Sequence, residues 1–313
     1  MTPAPSPKRI RLPQGENEIE LTLGRKKLRL TNLDKVFWPD PGITKRDLLQ
    51  YYADIAPYLL PHLKDRAMVM KRYPNGAAGE YFFMKRAPDS RPAWIRTCPI
   101  QHSTGLIEFP IIHDLACLLW AVNLGCIDLN PWYARCDDVH RPDYLHFDLD
   151  PVPGAGFDRV RETALRVRDA LSARHIPSYP KTSGSRGMHI YVPIQRGPEQ
   201  KQVWTFAKQL AVDLAEEFPD LITAEYRIAK RPEGRVLVDY NQNAWGRTLA
   251  SVYSVRPTKL ATVSTPVTWA EVERGCRTED FRMDTLPARL REAGDLWRPM
   301  TMSRGRLKLD RVR

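Results

Sequence analysis

The run His146-Phe147-Asp148-Leu149-Asp150-Pro151 sets two carboxylates one residue apart. In an extended strand alternate side chains share a face, so Asp148 and Asp150 point one way while Phe147 and Leu149 point into a core. Like charges held that close repel, and each raises the other's proton affinity unless a cation lies between them. Hard divalent ions such as Mg²⁺ and Mn²⁺ take carboxylate and phosphate oxygens, so the pattern suits phosphoryl chemistry. A lone Asp-x-Asp also fits a solvated strand edge. A second run narrows the choice: Gly234-Arg235-Val236-Leu237-Val238-Asp239-Tyr240 is strongly β-prone, and Asp239 interrupts an apolar series where an isolated acid would be costly. If the two strands are neighbours, three carboxylates form a cluster able to hold two metals for in-line displacement at phosphorus.

Between these runs lies Lys181-Thr182-Ser183-Gly184-Ser185-Arg186-Gly187-Met188-His189. Gly184 and Gly187 allow close approach of backbone to a ligand, and Ser183, Arg186 and His189 offer donors suited to phosphate oxygens. The loop lacks the Gly-Lys-Ser/Thr ending of a Walker motif.

The elements that must position these residues alternate along the second half. Strands are expected at 144–150, 188–194, 234–241 and around 249–255, and helices near 157–174, 199–217 and 281–293. In the first half Glu20–Leu23 and Leu28–Thr31 read as a hairpin. A helix follows over about 45–60 with Thr44 as N-cap, and another over 112–124. Strands interleaved with helices imply an α/β or α+β core. The 313 residues carry 42% hydrophobic and 27% charged side chains, which excludes wholesale disorder. No apolar stretch reaches membrane-span length, and the Pro-rich basic N-terminus lacks an apolar signal core, so a cytoplasmic, non-membrane protein is expected. Cys98, Cys117, Cys126, Cys136 and Cys276 are widely spaced with no C-x-x-C pair and read as free thiols. A net charge of +11 points to a polyanionic partner. Most of the excess lies at the ends: residues 1–30 and 301–313 carry +4 each, leaving +3 for the 270 residues between.

The three runs, with Val238-Asp239-Tyr240-Asn241-Gln242-Asn243 completing the third, resemble in order the motifs of the archaeo-eukaryotic primase superfamily, and in particular the polymerase domain of the bacterial ligase D type. The likeness extends from about Leu30 to Met300. It implies a core built on a central, mostly antiparallel, RRM-like sheet flanked by helices, with an N-terminal α/β lobe. It implies that Asp148, Asp150 and Asp239 ligate two divalent ions, manganese or magnesium, and that Ser183, Arg186, His189, Arg256, Asn130 and Gln242 bind the incoming nucleotide. By the same resemblance Asn32, Lys35 and Lys45 would grip a 5′-phosphate at a DNA break, and Phe82 and Phe83 would stack on bases, one facing the groove. Arg256 sits in Ser251-Val252-Tyr253-Ser254-Val255-Arg256, whose alternation would set it on one face with Val252 and Ser254.

The segments implied are a flexible basic lead-in (1–18), an N-terminal lobe with the 5′-phosphate and template contacts (19–130), a catalytic core (131–300) and a basic C-terminal tail (301–313). The function implied is template-directed extension of primers and gaps at DNA ends with NTP or dNTP in non-homologous end joining. These 313 residues show no ligase or nuclease module, so Ku and a DNA ligase are expected to be supplied separately, by other polypeptides or by parts of a longer protein. The alternatives are de novo priming and non-catalytic end binding. One departure stands out: where the family commonly carries a histidine near the ribose, this chain has Asn130, which can hydrogen-bond a hydroxyl but cannot hold a proton or charge.

Overall fold

The computed structural model describes residues 10–311. The first half opens with the antiparallel hairpin of β1 (Ile19–Leu23) and β2 (Lys26–Leu30), followed by the short pair β3 (Val36–Trp38) and β4 (Ile43–Thr44). Helix α1 (Lys45–Leu63) begins where the sequence places it. The Thr44 hydroxyl accepts from Asp47 N at 3.3 Å, and the Asp47 carboxylate accepts from Thr44 N at 2.8 Å. Its buried Leu48, Leu49, Tyr52, Ile55 and Leu59 follow helical spacing. Strands β5 (Met68–Arg72) and β6 (Phe82–Met84), the hairpin β7 (Thr97–His102) and β8 (Gly105–Pro110), helix α2 (Leu115–Asn123) and β9 (Cys126–Pro131) complete this half. β6, β5 and β9 form one antiparallel sheet in that order.

After the short strands β10 (Ala134–Arg135) and β11 (Asp138–Pro142) the chain enters β12 (Tyr144–Pro151), α3 (Phe157–Ala173), β13 (Tyr179–Thr182), β14 (Met188–Pro193), α4 (Gln200–Glu217), β15 (Ile222–Thr223) and β16 (Val236–Asp239). The central sheet runs β13-β14-β12-β16-β15, antiparallel except where β15 meets β16. One face is apolar. Leu145, Phe147 and Leu149 of β12 pack with Val160, Ala164 and Val167 of α3 and Val203 and Ala207 of α4. The period of two that buries these residues sends His146, Asp148 and Asp150 to the other face. Helices α5 (Trp269–Arg274), α6 (Leu286–Ala293) and α7 (Arg298–Thr301) follow, and Val252, Leu286, Trp297 and Met300 return to the core built by α1 and α2. Among the described residues no helix is long and apolar enough to cross a membrane.

Three expectations are corrected. The strand expected at 249–255 does not form: Tyr253 takes a left-handed backbone (φ 62°), which interrupts the extended run, and only an isolated bridge joins Val255 to Val263. The cysteines are not all free: Cys98 and Cys136 form a disulfide with Cα atoms 5.7 Å apart, while Cys117, Cys126 and Cys276 remain thiols. Their separation of 38 residues hides a proximity created when β7 packs beside the segment after β9. The described residues nearest the two ends are also tied down. Residues 1–9 of the expected flexible lead-in lie outside the described residues, but Leu12 is buried and its N–H donates to Gln50. At the other end Leu307 bridges to Ile194.

Candidate active site

Pairing across the central sheet aligns four chemically active side chains in one transverse row. Asp239 of β16 is the register partner of Asp148 of β12, Asp148 that of His189 of β14, and His189 that of Lys181 of β13. Asp150 lies two residues along β12 on the same face. The three acids expected from sequence therefore stand on adjacent strands. Asp239 is held by two donors, Asn241 N at 2.8 Å and Gln242 Nε2 at 3.0 Å. Gln242, expected at the nucleotide, is thus an orienting partner of the third acid.

Burial and mutual repulsion dominate the electrostatics of the acids. Burial first, and then the Asp239 charge, push the Asp148 carboxyl up to about 7. The Asp148 charge first, and then burial, push Asp150 up to about 7. His189 Nε2 lies 3.2 Å from Asp148 Oδ1, but burial, with Lys181 and Arg256 nearby, drives the imidazole well below its usual range, so this is a contact of a neutral ring. Its Nδ1 is buried without a partner. Lys181, which sequence reasoning passed over, is 0% exposed and donates to Ala250 O at 3.1 Å and Ser264 Oγ at 2.5 Å. Burial drives it well below the usual lysine range. Asp148 and Asp150, both with raised proton affinity, and Asp239 on the neighbouring strand offer oxygen ligands of the kind hard divalent cations take. Among the described residues the one His/Cys/Asp/Glu trio whose ligand atoms all lie within 4.8 Å of one another is His113, Asp114 and Cys117, but the Lys26 ammonium already sits on Asp114 and 3.3 Å from His113 Nε2.

The glycine loop folds onto this row. Ser183 Oγ accepts from Ser185 N and Gly187 N, both at 3.1 Å. A Cβ on Gly187 would fall 2.1 Å from Leu149 O, and one on Gly184 (φ 69°) would fall 2.6 Å from Ser264 N and 2.7 Å from Arg256 Cγ. Both positions therefore require glycine. Arg256 Nη1 donates to Ser183 O at 2.7 Å, bringing it to the loop although the strand expected to carry it is irregular. Arg186 is exposed, and its charge acts on Asp150. Asn130 is buried in β9 and donates to Asp128 O at 3.1 Å; among the described residues no hydrogen bond joins it to Asp148, Asp150 or Asp239.

In the N-terminal half a turn at Asn32 (φ 55°) returns the chain so that Lys35 N donates to Asn32 O at 3.1 Å and Lys45 N to Lys35 O at 2.8 Å. These hydrogen bonds draw the expected trio into one place. Lys45 is 4% exposed, its ammonium donates to Thr31 O at 2.6 Å, and burial, then Lys35, then Arg72, lower it to about 8. The charges of Lys35 and Arg72 both act on Lys45, and Arg72 is a neighbour the sequence did not signal. Tyr81, Phe82 and Phe83 are all exposed, Phe83 at 57%. Phe82 lies over Arg72 (5.1 Å), while Phe83 and Tyr81 lie over Lys71 (5.7 and 3.8 Å), so β6 presents one aromatic to each side. Tyr81 was missed because it precedes the strand.

Residues 44–297 match the model of the LigD, primase-polymerase domain. The multifunctional non-homologous end joining protein LigD of Mycolicibacterium smegmatis is 34% identical over 276 residues, 88% of this chain and 36% of that protein. The bifunctional non-homologous end joining protein LigD of Bacillus subtilis is 32% identical over 86% of this chain and 43% of its own. The chain thus spans less than half the length of these relatives. The solved polymerase domain from Mycobacterium tuberculosis ligase D in complex with DNA superposes with a TM-score of 0.82 at 32% identity, covering 87% of this chain and 97% of that one. With an antiparallel core, three acids on neighbouring strands and this match over most of its length, the chain belongs to the LigD primase-polymerase domain family.

Proposed function

We propose that this protein is a template-directed nucleotidyltransferase that extends primers and fills gaps at DNA breaks with NTP or dNTP, in the cytoplasm of a bacterium and in non-homologous end joining. The observation that carries the reading is the transverse row Asp239–Asp148–His189–Lys181 with Ser183 and Arg256 folded against it. The primer 3′-hydroxyl gives up its proton to water, its oxygen forms a bond to the α-phosphorus, the bond from that phosphorus to the bridging oxygen breaks, and pyrophosphate leaves. Asp148, Asp150 and Asp239 would hold two divalent ions, Mn²⁺ or Mg²⁺, which when bound supply charge neutralisation and activation of the hydroxyl. The chain's own groups do the rest: Ser183, Arg186, Arg256 and the neutral His189 offer donors to the triphosphate, and Gln242 keeps the Asp239 carboxylate aimed. Asn32, Lys35, Lys45 and Arg72 would take the 5′-phosphate of the downstream strand. Asn130 would offer a hydrogen bond to the sugar. Ku and a ligase would act before and after it.

The test is extension of a 5′-phosphorylated gapped duplex, with NTP and dNTP in parallel and Mn²⁺ present. Product on the gap is expected, and Asp148→Ala should reduce it by at least about 10³-fold while leaving end binding within about twofold. Product only on an unprimed single strand would make the protein a primase. End binding without product from any substrate would make it a non-catalytic module.

A further inference from the structure

A second transverse row crosses the N-terminal sheet. Phe83 of β6 is the register partner of Lys71 of β5, and Lys71 that of Asp128 of β9. Asp128 is 1% exposed, an acid set deep between two cations, with Lys71 Nζ 3.6 Å from Oδ2 and Arg256 Nε 3.0 Å from Oδ1. The Arg256 N–H is not aimed at the oxygen, so this contact is Coulombic. Arg256 in turn donates through Nη1 to Ser183 O, and among the described residues Nη2 has no protein hydrogen bond. One guanidinium nitrogen is therefore held by the acid, one by the glycine loop, and one is left for a ligand. On the other side Lys71 is caged by Tyr81, Tyr73 and Phe83.

Asp128 therefore joins the β6-β5-β9 sheet to Arg256, which lies in the irregular segment beside the glycine loop. Buried ion pairs add little stability compared with an apolar packing of the same volume, so stability alone is a weak reason for this acid. We propose that Asp128 is a positioning residue, the shared counter-ion through which the phosphate-facing Arg256 and the Phe83–Tyr81 stacking shelf are held in one geometry. Arg256 can meet a phosphate only with its Nε side anchored, and the shelf can meet a base only with Lys71 drawn under it. The proposal rests on the nucleotidyltransferase reading and deepens it.

Steady-state extension of the gapped duplex with Asp128→Asn should raise the KM for NTP about tenfold or more, because a small misplacement of a phosphate ligand is costly. End binding should stay within about twofold, since the 5′-phosphate cations lie on the far side of β6. Asp128→Glu should recover part of the loss. A merely structural acid would not change the coupling between its two neighbours, so Arg256→Lys and Phe83→Ala are combined. Their effects on kcat/KM should be non-additive with Asp128 present and additive in the Asp128→Asn background. Additive effects with Asp128 in place, or an unchanged KM in Asp128→Asn, overturn the proposal. Should Asp128→Asn not fold, Asp128→Glu and the cycle in the native background decide. A wild-type protein that extends nothing and binds no triphosphate overturns the underlying reading, and this one with it.

Discussion

Lys45 is a buried ammonium beside two cations, Lys35 and Arg72, and burial together with those charges makes its proton easier to lose than an ordinary lysine's. At pH 7 it is charged, since burial lowers it only to about 8. Above that value the free protein carries a neutral amine and must take up a proton to bind a phosphate, whose own second ionisation, near 6, is already complete. The preference for 5′-phosphorylated over 5′-hydroxyl ends is therefore expected to shrink as pH rises from 7 to 9.5. The slope should approach about tenfold per unit above pH 8, the limit for one proton taken up. Anisotropy titrations with the two ends across this range check it. Lys45→Met should remove both the preference and its pH dependence, and a preference that stays flat with pH would place the phosphate elsewhere. Asn32, Lys35 and Lys45 were legible only through their resemblance to a motif, because nothing in a lone lysine distinguishes a pocket from a surface. Arg72 and Asp128 were not legible at all: each acquires its role from a partner on another strand.

At the scale of elements, β12 and β14 are locked by the glycine between them. A methyl at position 187 would penetrate the Leu149 carbonyl, a backbone atom that cannot move without breaking the β12–β14 ladder. Gly187→Ala is expected to destabilise the protein by about 2–3 kcal/mol or more, as overpacking in a rigid site does. It should also weaken triphosphate binding by displacing Ser183, whose Oγ accepts from Gly187 N. Gly197→Ala, where a Cβ meets nothing within 4 Å, is the control and should melt like wild type. Equal denaturant midpoints for the two variants would refute the packing argument. Elements with a clean period were readable in advance: α1 with its Thr44 cap, and β12, α3, β14 and α4 within a few residues of their bounds. The 249–255 run reads as β by composition, but Tyr253 adopts φ 62° to donate from its N–H to Ser264 O and to send its hydroxyl to Asp295. Tertiary hydrogen bonds override a local preference there. The Cys98–Cys136 pair was hidden for a related reason, since pairing depends on where two distant segments meet.

At the scale of the whole molecule, the +11 charge suggests basic ends that hold DNA, yet Arg306 of the C-terminal stretch is spent inside the protein. Its guanidinium donates to Met302 O (2.8 Å), Asp143 O (2.9 Å), Ile194 O (3.2 Å) and Met300 O (2.8 Å). It therefore ties the last residues to the end of β14 and to the strand that leads into the acids. Truncating it removes a donor from four carbonyls, of which Asp143 O keeps the Ile194 N–H, and each of the others that water cannot reach costs about 1–3 kcal/mol. Arg306→Ala is expected to lower stability by about 2 kcal/mol or more, a fall of roughly 3 °C or more in Tm for a chain of this size. The salt dependence of DNA binding should stay unchanged, because a residue that contacts no phosphate releases no counter-ion. Arg304→Ala, an exposed neighbour, should show no loss of stability. Melting curves and binding isotherms at 50 and 200 mM salt separate the two roles. If Arg306→Ala keeps its Tm and lowers the salt slope by about one, this end of the chain serves DNA directly, and the charge of the tail belongs to recognition instead of the fold.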